Sequence, residues 1–507
     1  MFRFNHSTAW GCGAVLILVS LGQAMWKAPL LRMVELNLCR SYYETQDPKV
    51  ISPNGDVDER FCKVLPVQKE LATIFAYNIL FTALIELLTA FPYATLCGRF
   101  NRRTVLLVNV GSAAAGLCHT MCICYFYQIF STRLIWAQCI YRLFGGGESV
   151  LLSLTNALIA ETIPAANLSK ALFSLNAARL FVNAASQTLG ARLMQKSIWL
   201  PMSVGISIYS LVFPVLFLII DPRHQKYKSP SEVATKVTVT VPSATIAGGE
   251  ETDPLLDSSI SSGPSSGPSR PAISVEQRHN ESPLYMVWNS FTSAFLAVIH
   301  VCRNPIAAPT LVLFFWNELG HGVNTIIPQW ASCTFSWTLA DTNYFLAAQR
   351  AIAAITLVVL TLIIHWLQAI GKPAARLDLG LVIFCQSATL LGMFCTIASS
   401  LYTSARWRNV QYVCAVLLYM MGWGMNGALQ STVTRAIDPD HITLVYTGLN
   451  VAERLATMTS GPVFAALLAE GLERGGVWEY LPYWVSLGFF LIVSVLTVRL
   501  VRMLAKV

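Results

Sequence analysis

Apolar runs of membrane-spanning length recur from one end of the chain to the other. Polar segments separate them, and their approximate centres are Ile17, Ile79, Ala114, Leu151, Val182, Ser210, Leu319, Thr356, Leu390, Leu418, Thr457 and Ile492. A helix needs about 20 mostly apolar residues to cross a bilayer. Because a helix satisfies its backbone groups within one such segment, the pattern predicts an all-α integral membrane protein with twelve transmembrane helices.

The composition excludes a soluble fold of this length. Only 12% of the 507 residues are charged, whereas soluble domains carry roughly 25%. The first apolar run is too long for a signal peptide and lacks a small-residue cleavage site, so we expect a retained first helix. No array of basic and aromatic residues indicates a nucleic-acid partner. The chain is therefore predicted to be a multi-pass protein whose main surroundings are a lipid bilayer.

Basic residues near the ends of the runs indicate the orientation. They follow the second, sixth, eighth and last runs: Arg99, Arg102, Arg103, Arg223, Lys226, Lys228, Lys372, Arg376, Arg502 and Lys506. Since Lys and Arg favour the cytoplasmic side of a membrane, we assign these ends and both termini to the cytosol. The predicted outer loop from Arg32 to Lys69 is also rich in Lys and Arg, although acidic residues roughly balance them.

A change of composition divides the chain into two halves. The segment between Tyr227 and Glu281 contains "SSISSGPSSGPSRPAIS", which cannot bury a core. We predict an N-terminal six-helix half at 1–221, a disordered cytosolic linker at 222–283 and a C-terminal six-helix half at 284–507. Residues at about 285–303 are expected to form a surface helix; the alternative, an additional span, would break the even count.

The linker also contains a pattern typical of sorting signals. In "ETDPLLD", Glu251, Leu255 and Leu256 match an acidic dileucine motif. Such a motif is an address that a receptor reads and does not anchor the chain. Sorting adaptors are therefore predicted partners. The destination is the plasma membrane or, as the alternative, a vacuolar or endosomal membrane.

Two stretches of the halves align without gaps. Ser174–Met194 falls on Gly448–Leu468, with Ser186 on Ser460, and each stretch would be the fifth helix of its half. Parallel six-helix repeats of this kind place a substrate near the bilayer midplane, between the two halves.

The loop after the second run, "PYATLCGRFNRRTVLL", resembles the cytosolic loop signature of the Major Facilitator Superfamily. Arg99, Arg102 and Arg103 occupy its basic positions, and Gly98 stands where the family has an Asp. This departure removes the carboxylate of the charge relay that latches the halves in family members. The arginines alone are also what any cytosolic loop of a membrane protein carries.

The fourth run, "YRLFGGGESVLL", is similar to the family's Arg–x–x–x–Gly motif at Arg142 and Gly146. In the family this Arg is associated with proton transfer. The fifth run has "SQTLGA" where drug:proton antiporters have a Gly-Pro motif. The chain resembles a fungal major facilitator, distantly like the proton-coupled folate/haem carrier branch. The resemblance implies two six-helix pseudo-repeats, and fungal members of this build often accompany secondary-metabolite pathways or act at the vacuole.

Several ionisable residues lie inside apolar runs and must face the protein interior or water. We expect the path of substrate and protons to be lined by Glu86, Arg142, Glu148, Arg179, Glu318, His321, Arg350 and Glu453. The alternative for each is a static bridge between helices, and Arg179, Glu453 and Arg454 are the first candidates for it. On one continuous helix, Arg142 and Glu148 would point to different faces.

Glu318 and His321 are three residues apart in "FFWNELGHGVNTIIPQW" and would be neighbours on one helical face. An unperturbed imidazole titrates at about pH 6.5, so this pair is the predicted site of the coupling proton. A metal site would need a second Glu-x-x-His copy, and the sequence has none. Gly320, Gly322 and Pro328 predict either a bendable span or close helix packing.

Cys39 and Cys62 bracket the polar outer segment and are predicted to form a disulfide, because our orientation puts them in an oxidising compartment. Cys333 is a competing partner. The remaining cysteines lie mostly in apolar runs, where they act as small packing residues.

These features predict a monomeric secondary transporter of a small organic solute, coupled to protons and without a cofactor or a metal. Efflux of a secondary metabolite is the first interpretation; an importer or a vacuolar transporter is the alternative. A transporter-like nutrient sensor is the rival from another class, although sensors usually carry a long cytosolic tail. An enzyme is not expected, because no nucleophile–base pair is present.

Overall fold

A computed structural model describes residues 6–217, 307–371, 374–436 and 442–504, except Asn54 and Pro164, together with Thr292. The described residues form helices, with short 3₁₀ segments between some of them. The α-helices are α1 His6–Gln46, α2 Leu65–Arg99, α3 Arg102–Tyr125, α4 Gln138–Gly145, α5 Gly147–Thr162, α6 Ala165–Met194, α7 Trp199–Phe217, α8 Ala307–His321, α9 Ile327–Phe335, α10 Leu339–Ala369, α11 Ala374–Ala398, α12 Ala405–Met420, α13 Met425–Ala436, α14 Ile442–Arg474 and α15 Leu481–Leu504.

Every predicted centre lies within one of these helices. In the described part of the chain, 9 helices are long and apolar enough to cross a membrane. The other three centres, Leu151, Val182 and Leu319, lie in α5, α6 and α8. Helices α5 and α8 are pieces of spans that the backbone interrupts, and α6 carries Arg179 among its apolar residues. The all-α membrane fold is confirmed.

Helix α1 extends far beyond the first apolar run. Its 41 residues correspond to about 60 Å of helix, roughly twice the thickness of the hydrocarbon core. The polar segment after Arg32 is therefore helical as far as Gln46, where the sequence predicted a loop. Cys39 lies on this extension and Cys62 lies in the 3₁₀ turn Glu59–Lys63.

The predicted disulfide joins Cys39 to Cys62, whose Cα atoms are 5.3 Å apart. Cys333, the competing partner, is a free thiol. Both bonded cysteines are fully buried, in a small apolar cluster with Leu36, Val57 and Val67. The bond therefore ties the outer turn to the extension of α1.

Buried charges stabilise the same region. The Glu35 carboxylate accepts from Arg32 Nη1 at 2.8 Å and from Lys63 Nζ and Gln68 Nε2 at 2.7 Å each. Arg32 also donates to the Val57 carbonyl at 3.1 Å. Because the charges neutralise one another, polar residues that suggested a solvated loop form a packed element.

The two halves meet through two helix pairs. Helix α2 packs on α14, and α6 packs on α10. Helices α6 and α14 carry the two aligned stretches, so the interface has the pairing that a pseudo-two-fold repeat requires. Gly461 on α14 makes the α2 contact possible, since a Cβ there would lie 3.0 Å from the Ala76 carbonyl oxygen and 3.2 Å from Ile79 Cβ.

On the side that we assign to the outside, hydrogen bonds join the halves. Gln329 Nε2 donates to the Gln68 carbonyl at 2.7 Å, and Asn343 Nδ2 donates to the Gln187 carbonyl at 2.9 Å. The Leu339 N–H, at the start of α10, donates to Glu59 Oε1 at 2.8 Å. Lys69 and Glu473 form an ion pair. The conformation is therefore one in which the halves are closed on the outer side.

Some sequence predictions lie outside the described residues. These are most of the linker, including Glu251, Leu255 and Leu256, and the surface helix at about 285–303, of which only Thr292 is described. The surroundings of Gly98 and the side chain of Arg99 are not described either, although both residues belong to α2.

Replacing Cys62 with Ser should lower the melting temperature of the protein in detergent. The bond closes a loop with a sequence separation of 23 residues, for which the chain-entropy estimate is about 3 kcal/mol of stabilisation. Cys333→Ser is the matched control, because this thiol is free. An equal loss in both variants would contradict the assignment.

Replacing Gly461 with Leu should hold the outer ends of the halves apart, because the new side chain collides with Ala76 and Ile79. The measurement is the distance between spin labels carried by non-native amino acids at the exposed positions Glu44 and Arg406. We expect this distance to increase.

Gly488→Leu is the control for this variant, since a Cβ at Gly488 would meet nothing within 4 Å. An unchanged distance in folded Gly461→Leu protein would show that α2 and α14 do not need this close contact for closure.

Candidate functional site

The fourth span is broken at two glycines. Helix α4 ends at Gly145, and Gly146 and Gly147 have φ values of 78° and 72°, a region that favours glycine. Asn109 Nδ2 donates to the carbonyls of Gly145 at 2.5 Å and Gly147 at 2.8 Å. The amide thus satisfies acceptors that a continuous helix would have satisfied itself.

The break changes the direction of the residues around it. We expected Arg142 and Glu148 on different faces of one helix; they belong to two separate helices, α4 and α5, and their side chains pair with different residues, Glu86 and Arg179. The break nevertheless brings the Arg142 side chain and the backbone N–H of Glu148 to one acceptor, the Glu86 carboxylate.

Glu86 is the centre of the charged cluster and has a side-chain exposure of 3%. Its Oε1 accepts from Arg142 Nη1 at 2.6 Å and from the Glu148 N–H, the start of α5, at 3.3 Å. Its Oε2 accepts from Arg454 Nη1 at 2.9 Å and Ser149 Oγ at 3.1 Å. Arg142 belongs to the N-terminal half and Arg454 to the C-terminal half. One carboxylate therefore bridges the two halves.

Gly147 is necessary for this arrangement. A Cβ there would lie 2.7 Å from both Cγ and Oε1 of Glu86. The carboxylate approaches the first turn of α5, where free N–H groups and the helix dipole favour a negative charge.

Two further ion pairs flank the bridge. Glu148 Oε1 lies 3.4 Å from Arg179 Nη2, and Arg179 Nε donates to Ser20 Oγ at 3.0 Å. Glu453 Oε1 lies 3.7 Å from Arg454 Nη2. Arg179, Glu453 and Arg454, the first candidates for static bridges, thus all take part in ion pairs.

The seventh span bends at the position of the predicted proton site. Helix α8 ends at His321, the 3₁₀ turn Gly322–Thr325 follows, and α9 begins at Ile327. Gly320 and Gly322 also pack closely against other helices. A Cβ at Gly320, for example, would lie 2.9 Å from Phe490. The span is therefore bent and tightly packed at the same place.

The structure does not bring Glu318 and His321 together. No ion pair within 4.0 Å joins them in the described part of the chain, and each has partners elsewhere. Asn426 donates to Glu318 Oε1 and accepts from Asn317 Nδ2 at 2.9 Å. His321 Nδ1 lies 2.5 Å from the Tyr419 hydroxyl, which also accepts from Asn324 at 2.8 Å.

Aromatic rings enclose His321. Its ring centroid lies 5.1 Å from that of Phe490, 5.3 Å from Trp423 and 5.5 Å from Tyr419. The Arg350 guanidinium lies 5.0 Å from the centroid of Trp423. His321 and Arg350 therefore both contact Trp423, although neither pairs with a carboxylate among the described residues.

Lys27 was not among the site residues predicted from the sequence. It lies on α1 between the buried residues Trp26 and Ala28, yet its own side chain is exposed. It is close enough to Arg350, Glu148 and Arg142 to interact with each electrostatically. The signal was a Lys within the length of a possible first span, next to the Ala28–Pro29 step.

The described residues of the cytosolic loop motif stabilise the start of α3 and its surroundings. The Asn101 side chain accepts from the Arg103 N–H at 3.0 Å and caps α3. The Arg103 guanidinium lies 4.3 Å from the centroid of the Phe217 ring, and Arg102 is buried. Within the described ranges, no group of His, Cys, Asp or Glu is arranged to hold a metal ion.

Comparisons with known proteins agree with this architecture. The pattern of the Major Facilitator Superfamily matches residues 64–460. The chain is 25% identical over 462 residues to the MFS transporter SAT21 of Stachybotrys chartarum, covering 91% of this chain and 90% of the relative. It is 26% identical over 449 residues to the efflux pump ustT of Aspergillus flavus, covering 89% and 79% respectively.

A third relative is the MFS efflux pump atnC of Emericella nidulans, 22% identical over 488 residues, which covers 94% of this chain and 84% of the relative. Among solved structures, a D-xylose–proton symporter is similar with a TM-score of 0.59 at 13% identity, covering 98% of this chain and 97% of that one. At this identity the likeness shows the fold.

Glu86→Gln should lower the melting temperature in detergent, because it leaves Arg142 and Arg454 facing each other without their carboxylate. Removing one partner of a buried pair costs about 3–5 kcal/mol, and we expect less here because the arginine side chains are 32% and 26% exposed. Combining Glu86→Gln with Arg454→Gln should cost less than the sum of the single changes.

The matched control is Glu470→Gln on α14. Glu470 pairs with Arg474 at the surface, with side-chain exposures of 47% and 50%, and such pairs contribute about 0–1 kcal/mol. Strictly additive losses in the double variant would contradict the bridge.

Proposed function

The chain belongs to the Major Facilitator Superfamily, and we propose that it exports a small organic solute in exchange for protons. Transport across a membrane is the activity of this family, whose members found here are named as transporters and efflux pumps rather than enzymes. Export is supported by the two relatives named as efflux pumps. We extend the same interpretation to secondary metabolites as the class of cargo.

The Glu86 bridge supports alternating access as the mechanism. A solute path between the halves requires them to separate on one side at a time. The bridge is an ion pair across that interface, and its strength depends on the water that reaches it. A proton or a charged solute that competes for Glu86, Arg142 or Arg454 would therefore bias the halves towards one conformation.

Glu318 is the proton site in this proposal. Its carboxylate has an amide partner, Asn426, and no Lys or Arg within ion-pair distance among the described residues. A partly buried carboxylate inside the membrane whose hydrogen-bond partner is neutral is costly in its charged form, and protonation removes that cost. His321 fixes the position of Tyr419 and Asn324 next to the bend of the span.

The direction of transport is tested first with a deletion strain, and the membrane in which the protein resides is tested by imaging. If the protein is an exporter, cells without it should retain a solute that the parent strain releases into the medium. A solute left in the medium instead would support the alternative, an importer. Fluorescence imaging of the tagged protein distinguishes the plasma membrane from a vacuolar or endosomal membrane.

Glu318→Gln should abolish transport of the retained solute that is driven by a pH gradient, while exchange at equal pH on both sides continues. The reason is that Gln keeps a hydrogen-bonding side chain next to Asn426 but cannot carry a proton. The measurement uses purified protein in liposomes with the solute identified in the deletion strain.

Glu470→Gln is the control, since this carboxylate is an exposed one on α14. Loss of both activities in folded Glu318→Gln protein would assign Glu318 to solute binding or packing. Unchanged gradient-driven transport would refute it as the proton site.

A further inference from the structure

Most of the charges between the halves are paired. Glu86 pairs with Arg142 and Arg454, Glu148 pairs with Arg179, and Glu453 pairs with Arg454. Lys27 and Arg350 are different: within the described residues, neither forms a hydrogen bond or an ion pair with a carboxylate. In the described ranges, these two cations therefore have no carboxylate within ion-pair distance.

These two cations lie on helices of opposite halves that contact each other. Lys27 lies on α1 of the N-terminal half and Arg350 on α10 of the C-terminal half. They interact electrostatically with each other, and Lys27 also interacts with Arg142 and Glu148. Charged groups of both halves thus lie near Lys27. Because its side chain is nevertheless exposed, the space in front of it is accessible to water or a solute.

We propose that Lys27 and Arg350 bind the carboxylate of the transported solute, so that the substrates are organic anions with an aromatic or apolar body. This inference rests on the proposed function, because it assigns the substrate class of the same path. A carboxylate between the two groups replaces a repulsion by two charge-assisted hydrogen bonds. It also removes the cost of unpaired charge inside the membrane.

The surroundings favour an apolar body beside the carboxylate. Trp423 covers one side of the Arg350 guanidinium, which leaves its N–H edges for an acceptor in the plane. The rings of Trp423, His321 and Phe490 are in contact with one another through His321. An aromatic ligand would extend these contacts at offset or edge-to-face geometry.

The position between the halves makes binding sensitive to conformation. A ligand that contacts both Lys27 and Arg350 must bind the two halves at a particular separation. Its affinity then differs between the access states, which is the condition for a ligand to shift their populations.

The test uses the full-length protein in lipid nanodiscs and three aromatic carboxylates as probes: benzoate, 2-naphthoate and indole-3-acetate. Each is compared with its primary amide, which has the same body without the charge. We expect at least one carboxylate to raise the melting temperature in a saturable manner while its amide does not. If none of the three does so, or if amides stabilise equally, the proposal is overturned.

Lys27→Gln and Arg350→Gln should each weaken binding of that carboxylate at least about tenfold, as expected for loss of a charge-assisted hydrogen bond. Lys27→Arg should retain most of the affinity. Lys196→Gln, at an exposed position, is the control and should bind like the parent protein.

A second measurement separates binding from a structural role. Without ligand, Lys27→Gln should melt at the same temperature as the parent protein or higher, because it removes one of two repelling charges. A clear loss of stability would mean that Lys27 holds the fold, and it would overturn the proposal.

These experiments also distinguish failure of the anion site from failure of the proposed export function. Carboxylate binding that depends on Lys27 and Arg350, without transport under a pH gradient, would refute proton-coupled export and leave the anion site intact. Gradient-driven transport of a neutral solute that Lys27→Gln does not affect would refute the anion site and leave the export function intact.

Discussion

The interaction on which the arrangement of the two halves depends is the Glu86 carboxylate with an arginine from each of them. Glu86 is almost completely buried, and Arg142 and Arg454 reach it from different halves of the chain. In surroundings of low dielectric, separating these charges without water would be costly. The pair also fixes the broken fourth span, because the start of α5 donates to the same carboxylate. The Glu86 carboxylate thus stabilises both the break in the fourth span and the contact between the two halves.

Much of the fold could be predicted because the bilayer leaves few alternatives. Every centre predicted from the apolar runs lies in a helix, and the predicted pairing of Cys39 with Cys62 is confirmed. The outer end of α1 could not be predicted in the same way. Arg32 and Glu35 have the composition of a solvated loop, and only their mutual pairing, with Lys63 and Gln68, allows them to be buried in a helix.

The site was predictable in its residue types more than in its contacts. The rule that buried charges face the interior identified Glu86, Arg142 and Arg454, but their meeting depends on positive φ at Gly146 and Gly147. Glu318 and His321 are neighbours by spacing, yet their partners Asn426 and Tyr419 come from another span about a hundred residues later. Helical periodicity contains no information on such distant contacts.

The long outer extension of α1 has a consequence for how the protein can be controlled from the side of the membrane that we assign to the outside. The extension is linked by its disulfide to the turn Glu59–Lys63, and Glu59 accepts from the Leu339 N–H at the start of α10. The extension and the start of α10 together form a rigid epitope, which spans both halves only when they are closed on the outer side. An antibody fragment raised against this composite surface would recognise one conformation of the protein. It would act as an inhibitor without entering the solute path, whatever the chemistry of the cargo.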